Sequence, residues 1–184
     1  LAWFQSKQAP TSATAASLPV TVDADAKLCV DINLNNKPWL GMVINGKTFD
    51  GGKHTISNLN MSQYLLNQQA TIYTPEACIG LFAAVYGNAA IKDITLDRVT
   101  IEPSAEKSPK WVGSLVGYSK GTGTTYTNCI AKNVKILTEG TNSFRVGGLI
   151  GYIEKNKGTS DATATLTGCK VETANIAASF SYGG

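Results

Sequence analysis

Val146-Gly147-Gly148-Leu149-Ile150-Gly151-Tyr152 decides the fold, because the chain carries it more than once. Val112-Gly113-Ser114-Leu115-Val116-Gly117-Tyr118 lies 34 residues earlier, and Ile79-Gly80-Leu81-Phe82-Ala83-Ala84 is a degenerate copy another 34 back. A second element follows each copy. Ile94 and Ile101, Cys129 and Ile136, and Cys169 and Ile176 are apolar pairs seven positions apart, and in the earliest unit we align Leu59 and Leu66 with them. The residues just before the leading positions are Asn58, Asp93, Asn128 and Gly168, types that tolerate tight backbone turns.

A repeat of roughly 20 to 50 residues marks stacked units. Helical repeats need apolar residues at 3.6 spacing, whereas these units hold Val, Ile and Thr in short runs broken by Gly and Asn. A propeller blade needs four antiparallel strands per roughly 40 residues; about three strand-like runs occur here, with loops too irregular for hairpins. The expected fold is all-β: a right-handed parallel β-helix, or β-solenoid, of about four coils. Parallel crossovers favour that hand. Stacking at the ~4.8 Å strand spacing predicts two interior ladders, Leu81-Leu115-Leu149 and Leu59-Ile94-Cys129-Cys169.

The Gly-Gly-Leu-Ile-Gly-Tyr pattern, Thr127-Asn128-Cys129 before a strand, and above all Phe49-Asp50-Gly51-Gly52-Lys53-His54-Thr55-Ile56-Ser57-Asn58-Leu59-Asn60 resemble the GLUG-type repeats of adhesin-like surface proteins of gut anaerobic bacteria. The resemblance covers about residues 39–184. It implies a parallel β-helix outside the cell membrane, and it brings no catalytic residues. Ala83-Ala84 departs from the pattern where later units have Gly-Tyr, and the loops vary in length.

With 184 residues the chain is long enough for one domain with a substantial core. Residues 1–17, rich in Ala, Ser and Thr, read as a linker or N-terminal arm, and 18–184 as the repeat domain. Sixteen Lys and Arg are dispersed against 13 Asp and Glu, giving a net charge of +3 and no basic stripe for nucleic acid. No apolar run approaches the ~20 residues of a membrane span. From Val20 to Leu34 apolar and polar residues alternate, the pattern of a half-buried strand or a bent pair of strands. Since an open stack exposes core and strand edges, we expect this segment to cap the N-terminal end. Ser179-Phe180-Ser181-Tyr182-Gly183-Gly184 matches Ser143-Phe144-Arg145-Val146-Gly147-Gly148, which introduces a unit. Either the parent chain continues there or the last unit is an abbreviated cap.

No metal or cofactor fingerprint is present. Asp23, Asp25 and Asp31 are read as solvated strand acids ahead of a calcium site, and His54 as a hydrogen-bonded turn residue ahead of a base. Cys129 and Cys169 share a repeat position and read as buried thiols; Cys29 and Cys78 have no assignable partner. Glycosidic chemistry needs facing carboxylates, yet Asp97 aligns with Lys132 and Glu172, and Asp93 with Asn58, Asn128 and Gly168, so acids do not pile up. Binding would lie in the variable loops. Tyr118 and Tyr152 are the candidate ligand-binding residues: an aromatic ladder in the first reading, a sugar platform if both rings stand exposed. The expected function is therefore a non-enzymatic structural or adhesive module of a bacterial cell-surface protein, without cofactor, its partner a host or surface glycan or protein. A carbohydrate-binding module is the alternative, and a polysaccharide-active enzyme comes after it.

Overall fold

The computed structural model describes residues 20–62, 78–103, 109–138, 145–155 and 164–178. The expectations for the arm at 1–17, for Leu66 and for Ser179 to Gly184 lie outside them. Those described residues form strands, turns and loops with no helix, so none is long and apolar enough to cross a membrane.

The strands fall into five tiers. The first holds β1 (Val20–Val22), β2 (Ala26–Lys27) and β3 (Ile32–Asn33); the second holds β4 (Met42–Asn45), β5 (Thr48–Asp50) and β6 (Thr55–Asn60). In the third are β7 (Cys78–Ile79), β8 (Phe82–Tyr86) and β9 (Ala90–Ile101), and in the fourth β10 (Trp111–Gly113), β11 (Val116–Lys120) and β12 (Thr124–Thr138). The fifth comprises β13 (Arg145–Gly147), β14 (Ile150–Glu154), β15 (Ala164–Thr167) and β16 (Lys170–Ala178). Each tier adds its strands to the edge left by the one before. One sheet runs β1-β4-β8-β11-β14 and a second β7-β10-β13, while the third joins β2-β5-β9-β12-β15 with β3-β6-β9 and β12-β16. All thirteen strand pairings among the described residues are parallel.

Inside lies one main core, with Leu81, Leu115 and Leu149 stacked in it as the sequence predicts. Trp39 closes part of it, 1% exposed, and its indole N–H donates to the Leu81 carbonyl at 3.2 Å. That bond satisfies the polar atom which burying an indole would otherwise strand.

Left-handed residues set the corners. Lys53, Asp93, Asn128 and Gly168 have φ of +64°, +52°, +52° and +64°. Five positions later Asn58, Arg98, Asn133 and Thr173 form a second row at +55°, +55°, +50° and +56°. The second row explains the seven-residue step. Ile94 and Leu96 alternate inward, the bend at Arg98 shifts the phase, and Val99 and Ile101 resume it. Cys129, Ala131, Val134 and Ile136 repeat the pattern in β12. Side-chain amides tie the corners together from tier to tier: Asn128 Nδ2 donates to Asp93 Oδ1 at 2.9 Å, and Asn133 Nδ2 to Asp97 Oδ1 at 2.8 Å. These bonds offset the ~1–2 kcal/mol that a left-handed non-glycine residue costs.

This geometry corrects three expectations. Leu59 pairs with Val99, not Ile94, so Asn58 belongs to the second row of corners beside Arg98, and the residue aligned with Asp93 is Lys53. His54, the counterpart of Ile94 in the second tier, breaks the apolar signature that would have fixed the alignment. The segment from Val20 to Leu34 lies at the N-terminal end as expected, but as a tier in its own right, so there are five tiers rather than about four. Nor is it one half-buried strand or a bent pair: it forms the three short strands β1, β2 and β3, with Val22, Leu28 and Leu34 buried while Val30, between them in the alternation, is 64% exposed. Bends at every few residues turn successive apolar positions to different sides.

Two substitutions test the backbone account. A Cβ at Gly113 would stand 2.6 Å from the Gly151 nitrogen and 2.8 Å from the Leu149 carbonyl oxygen. Gly113→Ala should therefore lower unfolding free energy in urea by about 1–3 kcal/mol. Thr173 is β-branched at a left-handed φ, so Thr173→Asn should raise it by about 1 kcal/mol. An unchanged midpoint in either variant contradicts the assigned corner geometry.

Candidate functional site

The repeated glycines create the one aromatic cluster outside the main core among the described residues. β10 and β11 are joined by Ser114 and Leu115, and β10 runs so close to the neighbouring strands that Gly113 and Gly117 have no room for a side chain. A Cβ on Gly117 would meet the Cys78 Cβ at 2.8 Å and the Ala83 carbonyl oxygen at 2.9 Å. Val112, Leu115 and Val116 face the core, so the outer faces of the two strands fold toward each other. Trp111 and Tyr118 meet in that concave corner, their rings stacked at 4.8 Å with planes 23° apart.

Tyr118 and Tyr152 are register partners, as their 34-residue spacing predicts, with centroids 6.1 Å apart and planes at 25°. Trp111 also stacks on Tyr152 at 5.8 Å, and Tyr86 meets Tyr118 edge-on at 6.1 Å. Offset stacks and edge contacts of this kind add to the stabilisation from burial itself. The two candidates have different surroundings. Tyr118 is 1% exposed and Trp111 4%, whereas Tyr152 and Tyr86 are half-buried. A sugar platform using both Tyr118 and Tyr152 is therefore not formed, since only Tyr152 presents part of its ring. Arg145, the register partner of Trp111, places its guanidinium carbon 4.8 Å from the Tyr152 centroid, within cation–π range.

At the phenol end, the Tyr118 hydroxyl donates to the Glu154 carboxylate, which is also paired with Lys120 Nζ at 3.2 Å. Burial, then the Glu154 carboxylate, push the Tyr118 phenol far above its ordinary range, because ionisation would put a second negative charge beside the first. Tyr126, inside the core, donates to Ser119 Oγ at 2.7 Å, and burial likewise pushes it up. Sequence reasoning missed Trp111, Arg145, Tyr86 and Glu154. Trp111 and Arg145 carried a signal, since both precede a Val-Gly pair at the same repeat position; nothing in sequence showed that this position faces Tyr118.

The remaining candidates take up structural contacts. His54 Nδ1 lies 3.1 Å from Asp31 Oδ1, which also accepts the Thr55 amide at 2.9 Å. The Thr55 amide first, and His54 second, hold the Asp31 carboxyl below its usual range. Asp25 accepts the Thr48 amide at 2.8 Å. Among the described residues no three His, Cys, Asp or Glu side chains gather as metal ligands, and Asp23, Asp25 and Asp31 are no exception. Cys129 and Cys169 are free thiols donating to the Ile91 and Tyr126 carbonyls at 3.4 Å each; Cys129 is buried as expected, whereas Cys169, on the last tier, is only half-buried because no further tier lies over it among the described residues. Burial pushes the Cys129 thiol well up. Such a thiol is poorly suited to act as a nucleophile.

The buried phenols give an alkaline prediction. Both have folded-state pKa values above the ordinary 10.0, so their contribution to stability is complete below pH 10.0 and is lost as pH rises beyond it. Unfolding free energy should fall between about pH 10 and 12, and Tyr126→Phe should flatten the slope by about 1.4 kcal/mol per pH unit. Spectrophotometric titration of the seven tyrosines should leave two protonated after the rest ionise. Seven phenols ionising together would contradict the buried placement.

No family model matches this chain, and no solved structure matches it. Over 174 residues it is 25% identical to Halomucin of Haloquadratum walsbyi (strain DSM 16790 / HBSQ001), an alignment that covers 90% of this chain and 2% of Halomucin.

Proposed function

We propose that the five tiers are a right-handed parallel β-helix, and that it serves as a non-enzymatic scaffold module of a larger bacterial cell-surface protein, the GLUG-like repeats supplying its coils. The observation that carries this reading is the use of chemically able side chains for tier-to-tier bonding. Asp50 lies between Lys27 and Lys92 at 3.9 and 3.4 Å; Lys132 is in register with Asp97 and Glu172 and pairs with Glu172 at 3.5 Å. Glu154 holds Tyr118 and Lys120, and Asp31 holds His54. Groups spent on neighbouring tiers extend a rod; they are not convergent on a substrate. The likeness to Halomucin, a mucin by name, supports an extracellular placement.

Carbohydrate binding is the second reading. It is favoured by one observation, the half-buried Tyr152 with Arg145 over its ring at the margin of the concave corner. A glycan or a surface protein remains the partner class, with no part for nucleic acid, a cofactor or membrane insertion of this region.

Two measurements separate these readings. Antibody raised against the purified domain should label intact, unpermeabilised cells of the source organism; labelling only after permeabilisation removes the surface placement. On a glycan array the scaffold reading expects no specific signal. A signal lost in a folded Tyr152→Ala variant and kept in Tyr118→Phe would establish the binding reading and locate it on Tyr152.

A further inference from the structure

Of the thirteen asparagines in the chain, only Asn60 stands in an Asn-x-Ser/Thr triplet, Asn60-Met61-Ser62. That pattern is the acceptor for transfer of an oligosaccharide to an asparagine amide. The end of β6 turns this amide outward. Leu59 and Met61 on either side of it are buried at 0% and 1%, so Asn60 faces away from the core and is half-buried. Pro38 on the first tier and Thr100 on the third are its neighbours across the sheet, the first exposed and the second a short side chain that is itself half-buried.

Its amide is committed differently from those at the corners. Asn58, Asn128 and Asn133 donate Nδ2 to side-chain oxygens one tier away at 2.8, 2.9 and 2.8 Å. Asn60 Nδ2 reaches the Asn36 carbonyl at 3.4 Å, beyond the roughly 2.7–3.2 Å usual for such a bond. Because Nδ2 carries two N–H groups, substituting one leaves the other for that contact. Asn60 Oδ1 accepts the Ser62 amide at 3.0 Å, closing an Asx turn over the triplet. A hydrogen bond accepted at the carbonyl oxygen draws electron density from the amide nitrogen and makes its N–H more acidic. Ser62 Oγ accepts the Glu102 amide at 3.0 Å and keeps its own O–H.

We propose that Asn60 is an N-glycosylation site, its side-chain amide receiving an oligosaccharide from a polyprenyl-pyrophosphate donor as the chain is exported. Nδ2 attacks C1 of the donor's first sugar. The N–C1 bond forms, the C1–O bond to the pyrophosphate breaks with its electron pair leaving on oxygen, and Nδ2 gives up one proton. Transfer precedes stacking of β6 on β9, because the folded strand buries Leu59 and Met61 and leaves a transferase no extended triplet to grip. The finished fold holds the product, since the modified nitrogen lies on the outward face between Pro38 and Thr100. This inference rests on the extracellular placement proposed above and is independent of glycan binding at Tyr152.

The test recovers the protein from the surface of washed, intact cells of the source organism and digests it with trypsin, whose cuts after Lys53 and Lys92 bracket the triplet. Mass spectrometry of peptide 54–92 should show a saccharide increment that fragmentation places on Asn60. Chromosomal Asn60→Gln and Ser62→Ala should each remove the increment, and Ser62→Thr should keep it, because threonine completes the same pattern. An Asx turn with a structural role alone moves none of these masses. An unmodified peptide as the only form in the surface pool overturns the proposal. So does an increment that survives Ser62→Ala, which would put the sugar on another residue. A chain confined to the cell interior removes the extracellular placement, and the proposal with it.

Discussion

Everything in this protein depends on in-register parallel pairing between tiers. Each strand inside a sheet bonds to the strand one repeat earlier and one repeat later, so residues at equivalent positions are held about 4.8 Å apart whatever their chemistry. That spacing favours aliphatic and aromatic stacks. It is hostile to like charges, which at such a distance repel along the whole column.

The columns obey that constraint. Lys27, Asp50 and Lys92 alternate in sign, and Lys120 lies beside Glu154. Lys132 sits between Asp97 and Glu172. At the corners, where a left-handed backbone exposes the peptide, amide and carboxylate side chains bridge successive tiers. The ion pairs are largely exposed and contribute little each. Their value is in specifying register, because a slipped strand would set Lys over Lys and Asp over Asp.

The same constraint produces the aromatic corner. Glycine at two positions in each of the fourth and fifth tiers lets consecutive strands approach until backbone meets backbone, and the large residues displaced to the outside stack on each other. Tyr118 is buried by this packing and Tyr152 is spared only because β14 ends its sheet. One residue type at one repeat position therefore has two environments, decided by place in the stack.

Sequence alone determined the all-β class, the 34-residue period, the Leu81-Leu115-Leu149 column and the Tyr118-Tyr152 pairing, because each is a like residue recurring at a fixed interval. It could not determine the second tier's register: His54 and Lys53 carry no trace of the Ile94 and Asp93 positions they share, and the match rests on φ and hydrogen bonds that different residues can supply. Alternation from Val20 to Leu34 allowed a bent pair of strands but could not place the bends, since a period of two shows sidedness only while the backbone stays straight. Burial of Tyr118 against Trp111 and Glu154 was decided by tertiary structure, through the meeting of strands whose outer faces fold together. Local pattern names the residues that can stack. Only the closed geometry decides which of them remain in reach of solvent.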